Sequence, residues 1–382
     1  MSGPVYLDYN ATTPVDPRVA EAMLPYLRTH YGNPSSDHVY GRAAKAAVER
    51  AREEVAALIG ARPEEIVFTA HATEANNLAL QGVASALESG KRRTLLYSAV
   101  EHPSVAQPMR HLSTAGWSAR EIPVDAAALI DSGALQIGSG VALVSVMLAN
   151  NEVGTIQPIR TISDLAHAAG ALMHVDAAQA AGKIEVNVDG LGCDLLTLAG
   201  HKFYAPKGIG ALYVRSGTPI EAIQHGAGHE HGLRPGTENV PHIVALGEAA
   251  RLAREELAAE SSRIRALRDK LHQRLASAVP GLKLNGHDTQ RLPNTLNLSF
   301  PFVPGWDLLA GAKSLAASTG SACHAGKHAV SGVLAAMGCT AERAASAVRL
   351  SLGRFTTEAD VGIAEQSLAE AWSQLSASYR DK

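Results

Sequence analysis

Cysteine is scarce in this sequence. The 382 residues hold three, Cys193, Cys323 and Cys339, far apart and odd in number. No CxxC pair and no secreted-type disulfide framework can be drawn from them, which favours a reducing compartment. Positive charge is not in surplus either: the formal net charge is -3. No basic field is available to hold a nucleic-acid backbone, so no direct nucleic-acid partner is expected. Long apolar runs are missing, the longest being Val141 to Ala149, far too short to span a bilayer. The opening MSGPVYLDYNATTP has no basic segment followed by an apolar one, so the expectation is no signal peptide, no membrane and a cytoplasmic location. The sequons at Asn10 and Asn297 therefore carry no weight. No 20–50-residue repeat and no low-complexity tract occurs.

What is present is ordinary for a folded chain: 46% hydrophobic and 19% charged residues, which excludes intrinsic disorder. The length suggests one large domain or two unequal ones. Short β-rich runs alternate with helical patterns through the first two-thirds. Strands are expected at Ile66–Thr69, Thr94–Ser98, Val141–Leu148, Leu172–Val175, Leu195–Leu198 and Ala211–Val214, and helices at Ala43–Ile59 and Thr73–Leu87. The uninterrupted apolar run from Val141 reads as a strand buried on both faces. The pattern predicts an α/β fold with a mainly parallel central sheet and helices on both faces. A long helix over about 244–278, ended by Pro280-Gly281, links this region to further strands at Thr295–Phe300 and around Arg349.

Several residues can carry chemistry. Lys202 follows an apolar strand, where partial desolvation lowers an amine's pKa as a Schiff-base lysine requires; the alternative is a surface lysine. Asp176 ends a buried strand, where open α/β sheets bind ligands; it suits a pyridinium partner, a helix N-cap or a structural ion pair. Ala72-Thr73-Glu74 opens a helix after a strand, a setting for an anion such as phosphate, with Thr73 also readable as a plain N-cap. Cys323 lies in STGSACHAGK beside His324 and Lys327, where cations lower a thiol's pKa, on what reads as a mobile loop. Cys193 and Cys339 have apolar, structural settings. His225, His229 and His231 match no zinc spacing, and no metal is expected.

Together these motifs resemble one family. YLDYNATTP, NPSSDHVYGR, ATEANN, EHPSV, MLANNEVGTIQPI, HVDAAQAAGK, GHKFYAPKG, LRPGTENV, GSACHAG and VRLSLGRFTTEADV occur in its order along nearly the whole chain. The sequence is similar to class V aminotransferase-type enzymes that use pyridoxal 5'-phosphate (PLP), specifically cysteine desulfurases of the NifS/IscS type, of which selenocysteine lyase is a close relative.

The resemblance implies a fold-type-I PLP architecture. A large domain over 15–255 would bind the cofactor. Residues 1–14 and 256–382 would form a smaller α+β domain carrying the cysteine loop, about 318–332. It implies that Lys202 holds PLP covalently, that His102 stacks on the ring and assists proton transfer, that Asp176 pairs with the ring nitrogen and that Gln179 meets the phenolic oxygen. Ala72, Thr73 and His201 would bind phosphate, and Thr237 would reach the phosphate of the other subunit of a homodimer. Asn151 and Arg349 would hold the substrate carboxylate, the planar guanidinium suiting it. Cys323 would accept sulfur from L-cysteine as a persulfide, leaving L-alanine, and pass it to an acceptor protein for iron–sulfur clusters, tRNA thiolation or other thio-cofactors. Selenocysteine lyase or dual activity is the alternative. The sequence departs from the pattern at Ala70 and His71 (usually serine and glycine), at Ala199 (often a phosphate-binding serine), in HGAGHEHG, and at Ser331-Gly332.

Overall fold

The computed structural model describes residues 3–320 and 330–380. Seven strands form the main sheet: β1 (Ile66–Thr69), β2 (Thr94–Ser98), β3 (Ser118–Ile122), β4 (Val141–Met147), β5 (Leu172–Asp176), β6 (Leu195–Ala199) and β7 (Gly210–Val214). Their spatial order is β1-β7-β6-β5-β4-β2-β3. All neighbours run parallel except β7, which is antiparallel to both β1 and β6. Every residue of β4 and β6 is buried, as expected where helices cover both faces of a parallel sheet. In register, Met147 and Asp176, the last residues of β4 and β5, stand abreast of Thr197 in the middle of β6, so β6 runs two residues further. The order doubles back between β2 and β4, and in such sheets ligands bind beyond the strand ends near a switch of this kind.

The helices that matter here are α1 (Pro17–Arg28), α2 (Val39–Ile59), α3 (Ala72–Ala86), α4 (Pro103–Thr114), α5 (Ile159–Ala168), α6 (Val240–Ala278) and α7 (Glu358–Arg380). Helix α2 starts four residues before its apolar pattern becomes legible, because His38 caps it by accepting from Gly41 N at 3.2 Å. Ala44, Ala47, Val48, Ala51, Val55 and Ile59 form its buried stripe, and Gly60 ends it with φ +67°. Helix α3 begins at Ala72. Its N-cap is His71, whose Nδ1 accepts from Glu74 N at 3.0 Å, so the N-cap reading of Thr73 is replaced: Thr73 lies inside the first turn.

Helix α6 serves two cores. Its first half (Ile243, Leu246, Ala249, Ala250, Ala253) packs into the core of the main sheet. It lies so close to α2 that a Cβ on Gly247 would sit 2.6 Å from Ala51 Cα. Its second half (Ile264, Leu267, Leu271, Leu275) joins a separate core with Leu296, Leu298, Val348, Leu350 and Leu368. That second core lies against an antiparallel sheet of β8 (Lys283–Asn285), β9 (Thr295–Ser299) and β10 (Ala347–Ser351), ordered β10-β9-β8. The N-terminal arm is stitched to this region by pairing of Val5–Tyr6 with Leu315–Ala316 and by the Asp8–Ser351 bridge. No helix among the described residues is long and apolar enough to cross a membrane.

Candidate active site

A cavity of about 500 Å³ opens at the carboxyl ends of β4, β5 and β6. Its floor is Asp176, buried to 4% exposure. Oδ1 accepts from Ala178 N at 2.9 Å and Oδ2 from Asn76 Nδ2 at 2.8 Å. No helix starts there, so the carboxylate turns its own strand end and is not a helix cap. Asn76 also donates to Ser104 Oγ at 2.8 Å, while its Oδ1 is buried without a partner among the described residues.

Lys202 reaches the cavity from a single 3₁₀ turn, Gly200–Lys202, that ends β6. Its Nζ donates to the carbonyls of Asn10 (2.7 Å) and Ala11 (2.8 Å). Burial, then the Arg349 charge, lowers its pKa to about 8 against the partial opposition of Asp8 and Asp176. The desolvation expected of a lysine just past a buried strand is therefore present.

His102 caps α4 and lines the cavity. Its Nδ1 accepts from Ser104 N at 3.1 Å, which leaves the ring proton on Nε2. Burial in the wall lowers its pKa, Asp176 opposes and Lys202 adds. His201 is likewise neutral: burial, Lys202, Lys207 and Lys183 push it to about 4, and its Nδ1 meets Thr12 Oγ1 at 3.1 Å. Arg349 enters from β10, buried, with Nη2 2.6 Å from Asp8 Oδ1 and Nη1 donating to Asn151 O at 3.1 Å. Gln179 donates to Asn10 O at 3.0 Å and accepts from Lys183 Nζ at 2.6 Å.

The cavity thus gathers Lys202, His102, Ala72, Thr73, Asp176, Gln179, His201, Asn151 and Arg349. Thr237 is not among its lining residues and stands exposed in the segment before α6. Cys323 lies outside the described residues. Cys193 is fully buried, its thiol pushed up to about 12 by burial, and Cys339 is partly buried. Sequence reasoning missed Asp8 and Asn10. Asn10 is a hub: its side chain donates to Thr295 Oγ1 and Asn151 O and accepts from Lys183 and Asn294, while its carbonyl receives Lys202 and Gln179. The NATT run containing it was conspicuous, but nothing local in it points at Lys202, nearly 200 residues on.

The family description "Aminotransferase class-V" matches residues 5–363. The chain belongs to the class-V aminotransferases. The cysteine desulfurase IscS of Dechloromonas aromatica is 46% identical over 380 residues, covering 98% of this chain and 94% of that one. A solved NifS-like protein superposes with TM-score 0.91 at 38% identity, over 97% of this chain and all of that one. A second structure, described as SspA in complex with cysteine, superposes with TM-score 0.81 at 34% identity, over 92% and 99%.

Class-V aminotransferases use pyridoxal 5'-phosphate, and the residues present in this member fit it. A ring nitrogen needs a buried carboxylate as its partner, which Asp176 supplies. An aldehyde needs an amine whose unprotonated form is accessible near neutral pH, and burial lowers Lys202 to about 8. A phosphate needs a convergence of donors, supplied by the first turn of α3, Thr73 and His201. The volume is that of a small-ligand pocket.

Proposed function

We propose that the chain is a PLP-dependent cysteine desulfurase that converts L-cysteine to L-alanine and loads the sulfur onto Cys323. The observation that carries this reading is the meeting, in one cavity, of a lysine with a pKa of about 8, a buried strand-end carboxylate and a buried guanidinium. The relatives named cysteine desulfurase and the cysteine-bound structural neighbour support the choice of substrate.

Each side chain then has a task. Asp176 would hold the ring nitrogen in its protonated form, and Gln179, its amide orientation fixed by Lys183, would donate to the phenolic oxygen. His102 would pack on the ring and exchange protons through Nε2. Thr73, His201 and the N–H groups of Ala72 and Thr73 would hold the phosphate. PLP, when bound, supplies a carbonyl that condenses with amines and a cationic ring that takes up an electron pair released at Cα. Arg349 and Asn151 seat the substrate carboxylate, which competes with Asp8 for the guanidinium. Lys202 in its amine form takes the Cα proton and returns one. The Cys323 thiolate attacks the substrate sulfur: an S–S bond forms, the C–S bond breaks, and its electron pair remains on the carbon that becomes the alanine methyl after protonation.

The reading extends to a homodimer in which Thr237 serves the neighbouring subunit's phosphate, to a protein sulfur acceptor, and to a cytoplasmic setting. It also takes the chain as a large cofactor domain (15–255) and a small domain (1–14 and 256–382), which the two separate cores served by α6 support.

The test adds L-cysteine and a thiol reductant to PLP-loaded protein and quantifies alanine, with Cys323→Ala alongside. Alanine from the wild type alone is the expected result. No alanine from either, with PLP bound, overturns the reading and makes L-selenocysteine the next substrate. Selenium release by a Cys323→Ala variant that no longer desulfurates would identify a selenocysteine lyase.

A further inference from the structure

We propose that His71 is an additional phosphate ligand of the cofactor site, donating from its Nε2. The proposal rests on the PLP-binding reading above and adds a residue to it.

The argument starts from a hydrogen-bond assignment. A neutral imidazole has one donor and one acceptor nitrogen. His71 Nδ1 lies 3.0 Å from Glu74 N, a backbone N–H that can only donate. Nδ1 is therefore the acceptor, and the ring proton sits on Nε2. That Nε2 has no hydrogen-bond partner among the described residues, and His71, an exposed residue, lines the cavity together with Thr73, His201 and Lys202.

The backbone beneath the ring is fixed on three sides. Glu74 accepts from Ala70 N through one oxygen and binds Arg234 Nε at 3.0 Å through the other. Thr69 Oγ1 donates to His71 O at 3.2 Å. Gly210 on β7 passes so close that a Cβ there would lie 3.0 Å from His71 C. The ring is thus presented by a cap that serves α3 with one nitrogen and leaves the other as an oriented donor, at the helix end where an anion is favoured.

The local supply of donors gives the second nitrogen a purpose. A phosphate dianion offers three oxygens and several acceptor sites. At this end of the cavity Ala199 contributes a methyl group and no hydroxyl. Glu74 N, a first-turn donor, is already spent on His71 Nδ1. His71 Nε2–H returns a donor to the anion in place of the one it occupies, on a side chain long enough to stand off the helix end.

Two variants separate the ligand role from the cap role. His71→Asn keeps a side-chain oxygen able to cap α3 but has no donor at the Nε2 position. His71→Gln places an amide N–H₂ nearer to it. The full-length chain, freed of cofactor by dialysis, is titrated with PLP and separately with pyridoxal, which lacks the phosphate. Schiff-base absorption at Lys202 is the readout. His71→Asn is expected to weaken PLP by about tenfold or more, the weight of a hydrogen bond to a charged group, and to leave pyridoxal unchanged. His71→Gln recovers part of the loss.

Equal weakening of both ligands would make His71 a structural cap only. Wild-type PLP affinity in His71→Asn would overturn the proposal outright. Failure of the wild-type chain to bind PLP at all would instead refute the cofactor reading on which it rests.

Discussion

The depressed pKa of Lys202 is the property on which the chemistry turns, and it has a definite quantitative consequence. An ordinary lysine, near 10.5, has only about one amine in a thousand unprotonated at about pH 7.5. Lowered to about 8, Lys202 has roughly a quarter of its amines free at that pH, a gain of some two orders of magnitude in reactive form. Burial is the largest cause. Arg349 is the next and pushes in the same direction, while Asp8 pushes back.

The perturbation is therefore a pair of variants with opposite signs. Arg349→Gln removes a repelling cation and raises the Lys202 midpoint. Asp8→Asn removes a stabilising anion and lowers it. The assay is competitive acylation of the cofactor-free full-length chain across pH, with Lys202 labelling read by peptide mass spectrometry. The wild type is expected to titrate near 8. A wild-type midpoint near 10, or both variants moving the same way, would refute the electrostatic account. Because the folded amine binds its proton less tightly than the unfolded one, cofactor-free stability should also rise with pH between about 8 and 10.5.

Other consequences follow from the same geometry. Arg349→Lys exchanges a planar fork for a point charge, and steady-state kinetics should show KM for L-cysteine rising about tenfold or more while Schiff-base absorption is retained. Asp176→Asn removes the buried anion from the cavity floor, and turnover should fall on the order of a hundredfold, with a changed absorption spectrum of the bound cofactor. Glu230 and Arg52 form a buried two-pronged ion pair, 2.8 Å on each prong, with Phe68 N donating to the same carboxylate at 2.7 Å. Glu230→Gln removes the buried anion and leaves the guanidinium only the half-exposed Glu49 carboxylate, 3.2 Å from Nε, and chemical denaturation should show a loss of about 3 kcal/mol. Cys193, with its thiol pushed up to about 12, should resist iodoacetamide until the chain is unfolded; rapid native labelling at that position would contradict its burial.

Much of the fold was legible because local and global signals agree. The runs at Ile66–Thr69 and Thr94–Ser98 coincide with β1 and β2 to the residue. The long helix was read from 244 and begins at Val240. Its first turn holds Pro241, which reads as a breaker in sequence but is tolerated there because a first-turn N–H has no intrahelical partner to lose. Strand β3, SAREI, went unread because it is an edge strand with exposed polar residues and little alternation. The antiparallel direction of β7 had no signature either, since apolar runs do not encode polarity. Within the site, strand-end position raised Lys202 and Asp176 as candidates, each with a structural alternative, and the structure brings both into one cavity. Asp8, Asn10 and Asn76 were not, because their roles arise only when the N-terminal arm and α3 fold over the sheet. The capping role of His71 was hidden by the stronger N-cap propensity of Thr73 two residues later.

The most direct test of the central claim follows the sulfur atom. PLP-loaded protein is given one equivalent of sulfur-labelled L-cysteine without reductant, and the peptides are mapped. The account predicts label on Cys323 as a persulfide, with alanine formed in equal amount and no label on Cys193. Alanine released with the label on no cysteine of the chain, or label retained after Cys323→Ala, would contradict it.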